Sequence, residues 1–358
     1  MAAGLRDPRL SAHRPAPEDP IPRLLQSVAA EVQEIRSIQA RWLLCSDPPR
    51  HTWLRSALGA WFTPSFVEQL RPRVAQLVDH LLDRAALGDA FDVIKDLAYP
   101  LPATIIGELL GVPVHDLERF KRWSDDIAGS FTLAPETMRN AHQALRELTG
   151  YVTDLVSTGH AQSPGTLVNA LTANSVTAAT APALPLDEVV AQAVMLLFAG
   201  HETTTNLIGN GVLALLRNPE ELGRLRSDPS LISSAVEELL RYDSPTQATF
   251  RSVADDFGLA GQRLRRGDPV LLMLGSANRD ALEFSNPDRL DIARSPNRHL
   301  AFSQGIHFCM GAPLARMEGQ IAIRRIFERF PRVHLMEAEL TWRPNVFLRG
   351  LRSLPVAI

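Results

Sequence analysis

Cys309 is the residue of this chain around which chemistry is most readily built. It lies in the stretch His299–Arg316, HLAFSQGIHFCMGAPLAR, framed by Phe302 and Phe308 on one side and an Ala-Pro-Leu-Ala-Arg run on the other. Gly305 and Gly311 permit backbone conformations and close approaches that a Cβ would obstruct. After Gly311, apolar residues at Leu314, Met317, Ile321 and Ile323 predict a helix. A cysteine on a shaped loop entering a helix N-terminus meets amide donors and the positive end of the helix dipole, which favour thiolate over thiol. Such a place suits a soft, electron-donating ligand held against a flat metal cofactor. An isolated cysteine is more often a buried, inert core thiol; the frame around this one points to ligation.

That frame, F-x-x-G-x-x-x-C-x-G filled by Phe302, Gly305, Cys309 and Gly311, closely resembles the cysteine-ligand loop of the cytochrome P450 family. Ser303 stands where bacterial relatives usually carry glycine. The resemblance implies haem b (iron protoporphyrin IX), with Cys309 as the axial ligand of its iron.

A second chemical stretch is AGHETTT, Ala199 to Thr205, in the middle of a segment from Asp187 to Arg217 that predicts one long helix ending at Asn218-Pro219. A glycine and three β-branched hydroxyl residues cost helix propensity there. One reading is a packing glycine beside exposed polar side chains. The other is that Ala199 and Gly200 leave room for something flat, while a local break in the hydrogen-bond ladder frees Thr203 to bond a ligand. AGHET resembles the family's oxygen-activation motif, [AG]-G-x-[DE]-T, which implies that Glu202 and Thr203 are an acid–alcohol pair delivering protons to reduced oxygen. Thr204 and Thr205 stay open as alternatives to Thr203.

Cations recur at four further points. His51 and Arg55 are four residues apart after Asp47-Pro48-Pro49, on one helix face. As a generic pair they read as a solvated basic patch. In the resembled family an H-x-x-x-R pair after D-P-P binds the haem propionates. Arg251, in the β-like run after Ala248, and His299, at the start of HLAF, are implied to do the same. Four cations would then converge on two carboxylates.

Glu238 and Arg241 form E-x-x-R within a predicted helix from Ser230 to Tyr242. As a surface ion pair this contributes about 0.2–0.5 kcal/mol. Val236, Leu239 and Leu240 crowd it, however, and the resemblance implies a buried triad completed by an arginine from a P-D-R-L segment. NPDRLDI offers Arg289 for that part.

The remaining chain must position these groups. Helical periodicity is expected over Leu24–Leu44, Arg50–Phe62, Ser65–Leu87, 96–111, Asp116–Phe131 and Glu136–Thr158, with residues 1–22 as coil. Ala90 to Ile94 reads as a short strand or a turn, and Asn174 to Pro185 as a surface loop. From Pro245 to Leu274 short β-like runs alternate with Gly and Asp turns, predicting a small antiparallel sheet. The C-terminal stretch reads as a strand pair around Gly350. The expected class is mainly α with small β-sheets, and the resemblance implies a single cytochrome P450 domain over 1–358. LRDPRL at residues 5–10 looks like a segment that relatives carry only after several tens of residues. The usual N-terminal helix and first strands are therefore expected to be missing, leaving the β-region and the substrate roof incomplete.

The chain has 358 residues, 45% of them hydrophobic, a net charge of −3 and two distant cysteines. These bound a globular protein with no reason to bind nucleic acid and no disulfide framework. There is no signal-peptide pattern and no run of about eighteen apolar residues, so a cytoplasmic protein without a membrane span is expected. The resemblance implies a monooxygenase acting on a mid-sized hydrophobic molecule such as a polyketide, terpenoid or fatty-acid derivative. Electrons would come from NAD(P)H through an external ferredoxin and ferredoxin reductase. Arg50, Arg71, Arg73 and Arg324 are candidates to dock an acidic carrier. A catalytically silent binding or activating partner is the alternative from another class, and a haem-thiolate isomerase or peroxide-using enzyme is a third. The retained Glu202–Thr203 pair argues for dioxygen use.

Overall fold

The computed structural model describes residues 1–13, 21–158, 165–172, 184–337 and 339–358. Its helices are α1 Ala2–Arg6, α2 Ala29–Gln39, α3 Arg50–Gly59, α4 Pro64–Ala85, α5 Pro100–Leu110, α6 Leu117–Gly129, α7 Pro135–Ser157, α8 Leu167–Thr172, α9 Leu186–Arg217, α10 Pro219–Ser227, α11 Ile232–Tyr242, α12 Leu274–Ala277 and α13 Ala312–Arg329. The strands are β1 Leu10–Ser11, β2 Ala90–Asp92, β3 Thr249–Val253, β4 Phe257–Leu259, β5 Gln262–Leu264, β6 Pro269–Leu272, β7 His334–Leu335 and β8 Pro355–Ala357. All strand pairings are antiparallel, in the orders β1-β3-β6, β2-β8-β7 and β4-β5. The mainly α class with small sheets is observed.

Helix α9 is the central element. It begins after Pro185 with Asp187 and Glu188 in its first turn, where acids favour the helix dipole. It stops where the Asn218 side chain donates to the Ala214 carbonyl at 2.8 Å and Pro219 follows. Nearly all its side chains are buried, as expected of a helix apolar on every face. Helices α5, α7, α11 and α13 pack on it. Its N-terminal turns also clamp residues 41–50. Arg50 reaches Glu188 at 2.7 Å, Arg41 pairs with Asp187, and Gln192 accepts from the Leu43 amide at 2.9 Å while donating to the Arg41 carbonyl at 2.7 Å.

Several sequence expectations change. Residues 2–6 are helical and 10–11 form a strand, so the first residues are not all coil. Leu5 and Leu10 bury themselves with Val253, Leu272 and Leu300 in a satellite core, which gives this short segment its reason to order. The helix expected over Leu24–Leu44 is α only across Ala29–Gln39, between a 3₁₀ turn at Arg23–Val28 and a break before Trp42. Around Gly350 only isolated bridges form, Trp342 with Leu351 and Thr246 with Leu348, while β8 joins another sheet. Ala90 to Asp92 is a strand, and Val93–Ala98 a π-helical turn. The loop expected at Asn174 to Pro185 lies outside the described residues except for Leu184 and Pro185.

Candidate active site

Cys309 follows a 3₁₀ turn, Gly305–His307, and its amide donates to the Phe302 carbonyl at 2.9 Å. Gly305 has φ +72°, and a Cβ there would sit 3.0 Å from the Leu5 carbonyl oxygen, so the loop is closed directly against α1. Phe302 and Phe308 meet edge to face at 6.3 Å, and the Arg316 guanidinium lies 4.6 Å above the Phe302 ring. Gly311 leads into α13, which starts with Pro313 in its first turn. Cys309 is open to an internal cavity yet enclosed by protein. Burial pushes its thiol up; the Gly311 and Ala312 amides, Arg55 and Arg316 pull the other way without overcoming burial. The helix start alone therefore does not make a thiolate, against the sequence expectation. A bound cation would, because a coordinating thiol is deprotonated outright.

The cavity has a volume of about 340 Å³ and separates the Cys309 loop from α9. Ala199, Gly200, Thr203 and Thr204 form the α9 side. A Cβ on Gly200 would lie 2.9 Å from Ile106, so this glycine also serves the close approach of α5. Helix α9 runs through AGHETTT without the expected break, and Thr203 Oγ1 donates to the Ala199 carbonyl at 3.2 Å. Glu202 faces the other way. Its Oε1 accepts from Arg343 at 3.4 Å, Arg343 also donates to Asp125 at 2.6 Å, and Glu202 Oε2 has no partner. Burial raises Glu202 above the usual carboxylate range, and Arg343 only partly offsets this. The structure thus places Thr203 at the cavity and Glu202 behind it, on a polar path through Arg343 to the partly exposed Asp125.

One end of the cavity is lined by His51, Arg55, Arg251 and His307. Arg55 donates to the Phe308 carbonyl at 2.9 Å, and Arg251 to Thr249 Oγ1 at 3.0 Å and the Phe250 carbonyl at 2.7 Å. The rings of His51 and His307 lie edge to face, 4.5 Å apart, and the Nε2 of each is buried without a partner. Burial first, then the neighbouring cations, lowers His51 and takes His307 down to about 3. Burial likewise lowers Arg251. Two orphaned ring nitrogens beside two guanidiniums suit a group that brings carboxylates, as haem propionates do.

His299 is not part of that set. Its Nε2 lies 3.0 Å from Glu237 Oε2, and Arg316 donates twice to the same carboxylate, at 2.7 and 2.8 Å. Burial works to raise Glu237, but His299 and Arg316 outweigh it and hold it at about 2. His299 is captured by an acid on α11 and braces the loop, while His307 takes the cavity position. The signal for His307 was its place two residues before Cys309, inside the motif itself.

Glu238 and Arg241 are fully buried and bidentate, at 2.7 and 2.9 Å. The second guanidinium on Glu238 is Arg294, whose Nε lies 3.1 Å from both oxygens. Arg289 is exposed and contributes only its carbonyl, which accepts from Arg241 and Arg294 at 3.2 Å. Successive turns, Arg289 amide to Asn286 carbonyl and Arg294 amide to Asp291 carbonyl, send Arg289 outward and return Arg294 to the helix. Asn297 and the Asp291 amide complete the shell around Glu238, at 3.1 and 3.0 Å.

The basic docking patch expected from the sequence is largely neutralised. Arg50, Arg71, Arg73 and Arg324 are each paired with a carboxylate, Glu188, Glu68, Glu108 and Glu328.

Residues 34–345 match the model of the family described as Cytochrome P450. The chain is a cytochrome P450. It is a haem-thiolate monooxygenase whose cofactor is haem b and whose electrons arrive through external redox partners. It is 44% identical over 319 residues to cytochrome P450 monooxygenase PikC of Streptomyces venezuelae, covering 88% of this chain and 75% of PikC. To the biotin biosynthesis cytochrome P450 of Bacillus subtilis it is 36% identical over 357 residues, 99% of this chain and 87% of that one. Among solved structures, P450BioI in complex with an acyl carrier protein bearing hexadec-9Z-enoic acid superimposes with a TM-score of 0.90. That match has 36% identity and covers 100% of this chain and 89% of that one. Cysteine, acid and alcohol are all present in this P450, so the catalytically silent reading is not favoured. No helix among the described residues is long and apolar enough to cross a membrane.

Proposed function

We propose that this P450 hydroxylates or epoxidises a mid-sized hydrophobic molecule of the polyketide, terpenoid or fatty-acyl kind, with electrons from NAD(P)H passed on by a ferredoxin and its reductase. The observation that carries the substrate class is the cavity wall beyond Cys309, where Leu43, Leu44, Ile106, Met195, Leu196 and Pro245 offer shape and apolar surface and few hydrogen bonds. The names of relatives agree: PksS of Bacillus subtilis is a polyketide biosynthesis P450, and another relative, from Saccharopolyspora erythraea, is 6-deoxyerythronolide B hydroxylase.

Haem b ligated by Cys309 supplies the electron-rich iron that favours O–O cleavage and insertion of one oxygen atom into a C–H or C=C bond. The chain's own residues do the rest. His51, Arg55, Arg251 and His307 hold the two propionates by charge-assisted bonds. Glu237, with His299 and Arg316, and Glu238, with Arg241 and Arg294, fix the backbone on either side of the cysteine loop. Thr203 presents its hydroxyl to the cavity at the α9 face. Glu202, whose pKa burial raises, stands behind Thr203 as the proton-exchanging acid, and Arg343 with Asp125 connects it to the surface. The apolar wall excludes bulk water, which strengthens each of these polar interactions.

Titrating the holoprotein with a macrolactone, a terpenoid and a long-chain fatty acid, while following the Soret band, tests the substrate class. Displacement of the band by at least one of the three is expected; no response to any of them at solubility-limited concentration would refute it.

A further inference from the structure

Gln192 is a fully buried polar side chain on α9 to which the mechanism above gives no part. Its spacing from Met195, Leu196, Ala199 and Thr203 puts it on the stripe of the helix that lines the cavity. Its polar atoms are nevertheless both engaged with backbone. The side-chain oxygen accepts from the Leu43 amide at 2.9 Å, and the side-chain nitrogen donates to the Arg41 carbonyl at 2.7 Å. Leu43 and Leu44 are themselves part of the apolar cavity wall.

The plain reading is a packing clasp whose loss lowers stability and nothing more. Two observations oppose it. The backbone hydrogen bonds made by the amides of residues 40–46 are local, Ala40 to Arg36, Arg41 to Ile38, Trp42 to Gln39, Cys45 to Trp42 and Ser46 to Leu43. This segment leaves α2 and closes into the 3₁₀ turn Leu43–Cys45, so no ladder of those bonds joins it to the rest of the molecule. Its other ties also act beside the turn rather than on it. Arg50 donates to the same Arg41 carbonyl at 2.9 Å, and the Trp42 ring packs on Phe198 with centroids 6.2 Å apart. Among the described residues the Leu43 amide has Gln192 as its one partner. A single side chain therefore holds the amide that opens this turn at a set distance from the cavity face of α9. A buried amide left without an acceptor is costly, so losing that bond favours movement of the turn.

We propose that Gln192 is a specificity-setting positioning residue of this P450: its amide fixes how close the Leu43–Leu44 wall stands to α9, and so the size of molecule that the cavity admits beside Cys309. The role deepens the substrate reading given above and rests on it for the claim that this space receives the substrate. Gln192 acts through the backbone of residues 41–43 and touches no substrate itself. Its loss therefore changes selection by size and leaves the groups around Thr203 in place. Leu44 is already 39% exposed, so a freed turn has room to retreat outward. The cavity then widens for bulky molecules and grips small ones less.

Gln192→Met keeps the length of the side chain and removes both bonds. Hydrogen–deuterium exchange of the peptide spanning residues 41–46 in the holoprotein reads the clasp directly. Exchange in the variant is expected to be about tenfold faster, the scale of one net hydrogen bond. Two azoles that bind haem iron, imidazole and the bulky clotrimazole, then read the wall through the Soret band. The ratio of their dissociation constants is expected to move about tenfold in favour of clotrimazole at unchanged haem content, which a loss of stability alone does not produce. Leu44→Ala should move the ratio the same way, and Gln192→Met added to it should move it little further, because both act on one wall. Where the methionine variant fails to take up haem, Gln192→Asn, one methylene too short to span both partners, carries the same measurements. Wild-type exchange at residues 41–46, an unchanged azole ratio, or full additivity with Leu44→Ala would overturn the proposal. Neither exchange nor azole binding uses a substrate, so a failure here is distinguishable from a Soret band that ignores macrolactone, terpenoid and fatty acid alike.

Discussion

Arg294 and Arg289 lie five residues apart in one segment, and replacing each in turn by methionine separates their parts. Arg294 donates to both oxygens of Glu238 and to the carbonyls of Ser285, Asn286 and Arg289. Glu238 is fully buried, so Arg294→Met leaves a carboxylate with Arg241, Asn297 and one amide as its remaining partners. Removing one partner of a buried ion network costs about 3–5 kcal/mol. A chain of this length has an unfolding entropy for which that cost lowers Tm by about 4–7 °C. Arg289→Met removes an exposed side chain that makes none of these bonds, and surface changes of that kind stay within about 0.5 kcal/mol. Thermal unfolding of both holoproteins, followed by circular dichroism and Soret absorbance, makes the comparison. Because Glu237 and Glu238 brace the cysteine loop, haem release should accompany the early unfolding of Arg294→Met. Equal destabilisation by the two variants, or a larger effect at Arg289, would refute the reasoning.

Other consequences are as direct. Arg343→Leu removes the cation that partly offsets the burial of Glu202, so the Glu202 pKa should rise further. A proton donor fails as pH climbs through its pKa, and the alkaline fall of turnover should therefore move to higher pH in this variant, measured against a wild-type pH profile. Glu202 binds its proton more tightly folded than unfolded, so its contribution to stability is complete below the unfolded pKa and is lost as pH rises through the folded one. Denaturant midpoints of wild type and Glu202→Gln should converge at low pH and separate at neutral pH, the variant being the more stable. His51→Ala and His307→Ala should each accelerate haem loss to an acceptor apoprotein about tenfold, the loss of one hydrogen bond to a charged group. His299→Ala should leave that rate nearer wild type while lowering Tm, because it touches Glu237 and not the cavity end.

Much of this site was legible because its motifs sit within single elements. The cysteine frame, the acid–alcohol pair and the E-x-x-R pair each span a few residues of one loop or helix, and local spacing fixes which side chains are neighbours. The choices that went astray depended on how separate segments turn. Arg289 was chosen over Arg294 because nothing local says that two successive turns follow and bring the later arginine back. His299 was preferred to His307 because Glu237, the acid that captures His299, lies sixty-two residues earlier on helix α11. The ordering of residues 2–11 was missed for the same reason, since their partners, Val253, Leu272 and Leu300, are far away in sequence.

The central claim is that Cys309 ligates haem iron through its sulfur. The absorption spectrum of the purified, reduced, carbon monoxide-bound protein tests it most directly, beside that of Cys309→Ala. A thiolate-type Soret band in wild type, absent from the variant, is the expected result. A wild-type spectrum without that band, or one that survives Cys309→Ala, would contradict the account.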